Sequence, residues 1–189
     1  MTESRFTKTR KRHEVEGHAR YLTFSCQGRL PLFQNDAIKA AFVDHLIETR
    51  ERTQFRLFAW VIMPEHVHLL LMPLLPQFPI PFVLRHLKGG FANLVLRRWR
   101  ELNAPILPRI TDSSGKHRFW LQGGGYDRNT FVSSELVEKA WYIHKNPVVR
   151  ELVKNPLDYP WSSARWYSDR KAEALIRVDR VWNRQDADG

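Results

Sequence analysis

From Arg20 to Gln27 the chain alternates, with Tyr21, Thr23 and Ser25 set against Leu22, Phe24 and Cys26, which is the period-two pattern of a strand. Pro31 closes that segment and Asn35-Asp36 offers a helix start. Ile38, Ala41, Phe42, His45 and Leu46 then recur at helical spacing to about Arg52, and His45 on that stripe reads as a packed histidine rather than a ligand. Phe55 to Met63 and His66 to Met72 are apolar runs joined tightly at Pro64-Glu65, predicting a hairpin of two buried strands. After a proline-rich loop, Val83, Leu87, Phe91, Leu94 and Val95 recur every three or four residues between Pro81 and Leu102, with Arg85, Lys88, Arg97, Arg98 and Arg100 between them. This is an amphipathic helix with a basic face. Gly89-Gly90 inside it would cost about 1 kcal/mol each relative to alanine, so a kink or a close backbone approach is expected there.

Further on, Thr111 to His117 reads as a polar loop, Arg118 to Leu121 as a short strand, and Gly123-Gly124-Gly125 as a flexible joint. Ser133-Ser134 offers caps to a helix with Glu135 in its first turn, whose core stripe of Leu136, Ala140 and Ile143 is expected to stop at Asn146-Pro147. The aromatic stretch 155–169 is expected to order against the domain, and the polar tail from Lys171 to fray. Strand, helix, strand, strand, helix and one further strand give an α+β fold, a split βαββαβ with an antiparallel sheet and helices on one face. The other face is left for a site. The organisation expected is a basic arm over 1–17, one globular domain over 18–168 and a polar tail over 169–189.

Composition narrows the function. The 189 residues are 43% hydrophobic, enough for one core, and 30 Lys plus Arg against 20 Asp plus Glu leave a net charge of +10 and a pI near 10.1. That balance favours a polyanionic partner, nucleic acid before a membrane surface. The single cysteine, Cys26, cannot form an internal disulfide and suits a reducing cytoplasm. The polar, basic N-terminus reads as no secretory signal, and the greasiest stretch, Leu69 to Leu84, is broken by four prolines and falls short of the roughly 20 residues a membrane helix needs.

The chemistry centres on His66-Val67-His68. On a strand, His66 and His68 project from the same face, so both imidazoles can reach one ion. A divalent metal on neutral imidazole nitrogen offsets their desolvation, although the spacing alone also fits two partly exposed histidines after a turn. On the later helix, at about 100° per residue, Tyr142 and Asn146 share a flank one turn apart, roughly 100° from the core stripe. Two imidazoles, an amide oxygen and a tyrosine hydroxyl form a sensible set for metal-assisted phosphoryl chemistry. Taken alone, Tyr142 equally reads as a half-buried packing residue and Asn146 as a helix C-terminal one.

His66-Val67-His68 after Met63-Pro64-Glu65, then Phe119-Trp120, Gly125-Tyr126-Asp127, Tyr142-Ile143-His144-Lys145-Asn146-Pro147-Val148 and Asp158-Tyr159-Pro160-Trp161-Ser162-Ser163 resemble, in order, the single-tyrosine HUH transposases, specifically the REP-associated tyrosine transposases. The resemblance spans about Gly17 to Tyr167. It implies a ferredoxin-like domain, acting in the bacterial cytoplasm near the nucleoid as a monomer or homodimer, that binds single-stranded or hairpin DNA and cleaves it with Mg2+ or Mn2+. By the same resemblance His66, His68 and Asn146 hold the metal, and Tyr142 is the nucleophile that forms a 5′-phosphotyrosine link. Tyr126 is the rival nucleophile, or a base-stacking platform. His117 and Arg118, Arg97, Arg98 and Arg100, and Lys8, Arg10, Lys11 and Arg12 in the arm are candidate DNA contacts. Two alternatives stay open: a non-catalytic nucleic-acid-binding module on the same topology, and a metal nuclease that uses water and leaves Tyr142 structural.

Overall fold

The computed structural model describes residues 14–122, 126–130, 133–168 and 174–179. The alternating segment forms strand β1, Ala19–Ser25. Helix α1, Asp36–Thr53, is capped by Asn35, whose side-chain oxygen accepts the Ala37 backbone N–H at 2.7 Å, and ends at Gln54 in the left-handed conformation. The two apolar runs form β2, Arg56–Ile62, and β3, His66–Met72. The Met63 N–H donates to the His66 carbonyl at 2.8 Å and closes the turn between them.

The amphipathic stretch forms in three pieces: α2 (Ile80–Leu84), a π-helical turn (Arg85–Gly90) and α3 (Phe91–Glu101). The close approach expected at Gly89-Gly90 is present: the regular α-helix gives way to the wide turn there, and a Cβ on Gly90 would lie 2.8 Å from His45 Cε1. His45 is packed in that space, with Nε2 3.0 Å from the His86 carbonyl, so it ties α1 to the π turn.

β4, Tyr126–Thr130, completes a four-stranded sheet in the order β2-β3-β1-β4, antiparallel at every pairing. This is the order that a split βαββαβ chain produces. Two local readings change. Tyr126, expected in a loop, opens β4 opposite Thr23, because the edge of β1 is free to pair there. Arg118 to Leu121, expected as a strand, contributes a single bridge from Trp120 to Cys26. Gly123-Gly124-Gly125 and the arm residues Lys8, Arg10, Lys11 and Arg12 lie outside the described residues.

The pleat sorts the core into two. Leu22, Phe24, Val67, Leu69 and Leu71 face α1 and α3, where Phe42, Leu46 and Phe91 complete the larger cluster. A bulge between Leu57 and Ala59 resets the parity of β2, so that Leu57 and Trp60 both join it. Tyr21, Ala59, Val61 and Leu70 face the opposite way, against Ala140 and Ile143 of α4, Ser133–Val149. The two crossover connections thus cover one face as expected, and the helix that follows β4 lies on the other, beside the histidines.

α4 also runs on through Pro147, where it was expected to stop. A proline in the last turn removes one donor only, and the chain leaves the helix with the Leu152 N–H donating to the Pro147 carbonyl at 2.9 Å. The segment 161–163 pairs with the edge of β2 (Ile62 N–H to the Trp161 carbonyl, 2.9 Å; Ser163 N–H to the Trp60 carbonyl, 3.0 Å), as its aromatic composition suggested. The tail was expected to fray, yet residues 174–179 dock: Ile176 and Val178 are buried in the larger cluster, and the Asp179 carboxylate accepts the Leu57 N–H at 2.9 Å and Arg50 at 2.7 Å. β2 is an edge strand, and its free backbone groups recruit the tail. Among the described residues no helix is long and apolar enough to cross a membrane.

Candidate active site

Thr23 pairs with His68 and Ser25 with His66 across β1 and β3, so Tyr21 and Thr23 share the histidines' face. His66 Nε2 and His68 Nε2 lie 2.9 Å apart with their rings nearly perpendicular. Each ring is held from its far nitrogen. His66 Nδ1 lies 3.1 Å from a Glu65 carboxylate oxygen, which itself sits 2.8 Å from Arg150 Nη2. A carboxylate only accepts, so Glu65 fixes the proton of neutral His66 on Nδ1 and leaves Nε2 a bare lone pair. His68 Nδ1 is within hydrogen-bond reach of the Tyr21 hydroxyl (2.8 Å) and Thr23 Oγ1 (2.7 Å). Hydroxyls donate or accept, so they serve either tautomer of His68. His68 can therefore donate its Nε2–H as a hydrogen bond to His66 Nε2, or present a second bare lone pair.

Both histidines are held neutral. Burial pushes the His66 pKa down, opposed by Glu65 and reinforced by Arg150 and Arg29. His68 falls to about 3, first through burial and then through its neighbour His66, while a hydrogen bond that His68 donates to the Asn146 oxygen acts the other way.

α4 brings the remaining two groups. Ala140 and Ile143 anchor it on the sheet, which turns the Tyr142–Asn146 flank towards β1 and β3. The Tyr142 ring meets both His68 and Tyr21 edge-on, each at 6.0 Å between centroids, and Tyr142 is still 53% exposed. Asn146 is buried and donates its amide nitrogen to the Tyr142 carbonyl at 2.9 Å, so its oxygen is the atom left to face His68.

Would this donor set suit a divalent metal? Adjacent ligands of an octahedral ion with bonds near 2.1 Å lie about 3 Å apart, close to the 2.9 Å between the two Nε2 atoms. Each imidazole also has the outer hydrogen bond that metal-binding histidines need for orientation. Among the described residues no group of three His, Cys, Asp or Glu side chains is poised for a metal, so the third protein ligand would be the amide of Asn146. The set fits a hard or borderline divalent ion that keeps open positions.

The structure thus brings together His66, His68, Tyr142 and Asn146. Among the described residues, the basic candidates lie apart. Arg97, Arg98 and Arg100 are exposed on α3, which packs on the opposite face of the sheet, and Arg98 pairs with Glu101 at 3.4 Å. His117 Nδ1 meets Thr111 Oγ1 at 3.0 Å and Arg118 pairs with Asp112, so both are engaged in the 111–118 loop. Hydrogen bonds from Ser114, Lys116 and Arg118 hold the Asp112 carboxyl well below the usual carboxylate range. Tyr126, by contrast, opens β4 directly opposite Thr23, the β1 residue whose hydroxyl meets His68. Tyr21, Thr23 and Arg150 were not singled out from the sequence. The alternation of β1 placed Tyr21 and Thr23 on one face, but only the β1–β3 register reveals which partner they face.

The family model described as "Transposase IS200 like" matches residues 15–123, which takes in both histidines and ends before α4. A protein of Haemophilus influenzae, provisionally named a REP-associated tyrosine transposase, is 27% identical over 165 residues, 86% of this chain and 88% of that protein. A solved structure of a REP-associated tyrosine transposase bound to a REP hairpin superposes with a TM-score of 0.65 at 17% identity, covering 94% of each chain. Its likeness is one of fold. With the family match running over more than half of its length and the expected sheet order in place, the chain belongs to the IS200-like transposases, a family of DNA-processing enzymes.

Proposed function

We propose that this chain cleaves and rejoins single-stranded or hairpin DNA through a covalent link to Tyr142, with Mg2+ or Mn2+ held by His66, His68 and Asn146. The observation that supports this reading best is the placement of one half-exposed tyrosine edge-on to His68, itself one of a pair of neutral, pre-oriented histidines. The hairpin in the related solved structure and the name of the Haemophilus influenzae relative support the class of substrate.

A bound divalent ion would supply Lewis-acid polarisation of the scissile phosphate. The protein does the rest. α4 holds the Tyr142 phenol beside the histidines, and the +10 net charge draws the DNA strand in. The phenol gives up its proton and its oxygen attacks the phosphorus. The P–O3′ bond breaks, the departing 3′ oxygen takes up a proton, and the phosphate stays joined to tyrosine on the 5′ side. One phosphodiester is exchanged for another, so no ATP is needed, and attack by a different 3′-hydroxyl reverses the step. Water-driven cleavage has a weaker basis, because Glu65, the carboxylate nearest the histidines, is already engaged by His66 and Arg150.

The test is a denaturing gel of a labelled hairpin oligonucleotide incubated with the protein and Mn2+. We expect a covalent protein–DNA adduct that is lost in Tyr142→Phe and lost on adding EDTA. An adduct that persists in Tyr142→Phe assigns the nucleophile to Tyr126. Nicking without any adduct supports the water mechanism, and binding with neither supports a non-catalytic module.

A further inference from the structure

Trp141 stands one residue before the tyrosine and is 52% exposed, whereas Ala140 and Ile143 of the same helix are fully buried. On α4 it lies about 100° round from Tyr142, on the flank away from the histidines. There it borders a cavity of about 320 Å³ whose other walls include His144, Pro156, Leu157 and Tyr167. This volume falls at the small end of ligand pockets, which run from roughly 300 to 1,000 Å³.

The cavity suits a flat, apolar-faced group with polar edges. The His144 and Tyr167 rings, both in its walls, lie 5.2 Å apart. Both are fixed: His144 Nε2 is 2.8 Å from Ser163 Oγ, and the Tyr167 hydroxyl donates to the Phe58 carbonyl at 2.7 Å. Asn155, whose oxygen accepts the Leu157 N–H, supplies a polar group at the rim. Lys145, on the crest of α4 between the two flanks, is exposed. A phosphate passing over the helix would meet that ammonium. The distance from one flank of a helix to the other is roughly 10–12 Å, which is about three nucleotides at the stacked rise of about 3.4 Å.

Resting on the reading of Tyr142 as nucleophile, we infer that this cavity is a base-binding subsite. An unpaired nucleotide near the scissile phosphate crosses α4 over Lys145 and stacks its base on Trp141, while the phosphate to be cut lies on the Tyr142 side. Charge distinguishes this occupant from an apolar peptide, since the exposed ammonium of Lys145, next in sequence to the cavity-lining His144, attracts a phosphodiester. Base stacking on an aromatic side chain is worth about 1–3 kcal/mol, so the base should improve binding by about 5- to 150-fold.

The test uses the full chain and hairpin oligonucleotides with unpaired flanks, in which each flanking position in turn is made abasic. Wild type should lose at least about fivefold in Kd at one position. Trp141→Ala should bind the intact flank more weakly and lose that position's abasic penalty, Trp141→Phe should keep most of it, and Tyr142→Phe should keep all of it. A 5-iodouracil placed at the same position should photocrosslink to Trp141, which reports the contact in the unmutated protein. A flat abasic scan, or a crosslink mapping away from this cavity, overturns the subsite even if the Tyr142 adduct forms. An abasic penalty removed by Trp141→Ala in a protein that forms no adduct keeps the subsite and overturns only the catalytic reading.

Discussion

His66 and His68 are adjacent in the alternation of one strand, but the partners that make them useful come from elsewhere. Glu65 fixes the first ring, while Tyr21 and Thr23 reach the second from β1. Outer partners of this kind typically account for 10- to 100-fold in metal affinity or activity. Thr23→Val, which keeps the shape and removes the hydroxyl, should lower Mn2+ affinity by about tenfold, measured by titration calorimetry, with an unchanged melting temperature. An effect smaller than twofold would show that Tyr21 alone orients the ring. Cys26 is the contrasting case. It is fully buried, and burial pushes its thiol pKa far above the normal range. The native protein should therefore resist thiol reagents at pH 8 and label with one equivalent only after denaturation; rapid native labelling would contradict its burial. The existence of one free cysteine is legible from sequence, but its inertness is a property of the Phe24, Leu32 and Trp120 surroundings that the fold assembles.

At the scale of elements, the strong local signals were reliable. Asn35 begins α1, the two apolar runs pair as a hairpin, and the double glycine marks the irregular turn in the α2–α3 stretch. The need for glycine at position 90 comes from another helix, because His45 fills the space a side chain would take. Gly90→Ala should cost about 1–3 kcal/mol, the usual range for overpacking, read from urea unfolding. Adding His45→Ala should recover part of that loss, and a purely additive double variant would show that the glycine is needed for the π turn itself. The readings that changed had weak local signals. Tyr126 to Thr130 is a polar run, Tyr-Asp-Arg-Asn-Thr, with no apolar alternation to reveal it, and it becomes a strand because β1 offers an edge. α4 passes Pro147 because a proline near a helix end removes one hydrogen bond, which packing of Ala140 and Ile143 outweighs.

Across the whole molecule, the chain closes on itself at the edge of β2. Asp179 accepts the Leu57 N–H, and Ile176 and Val178 enter the main cluster from a tail whose composition looks polar. Fully burying a valine- or isoleucine-sized side chain contributes about 1.5–3 kcal/mol. Truncation after residue 173 should therefore destabilise the protein by at least about 3 kcal/mol in chemical denaturation, while Tyr142 and the histidines keep their arrangement; an unchanged midpoint would mean that the tail contributes nothing in solution. The sequence by itself determined the α+β order, the hairpin that carries the two histidines, the helix that carries Tyr142 and Asn146, and the basic charge, since each is written in local periodicity or composition. Only the tertiary structure decided that α4 lies on the histidine side of the sheet, that Arg150 meets Glu65, that Tyr21 and Thr23 back His68, and that the arginines of α3 lie on the far face. Those relations join residues tens of positions apart, and they follow from strand register and the side on which each helix packs, which no local pattern encodes.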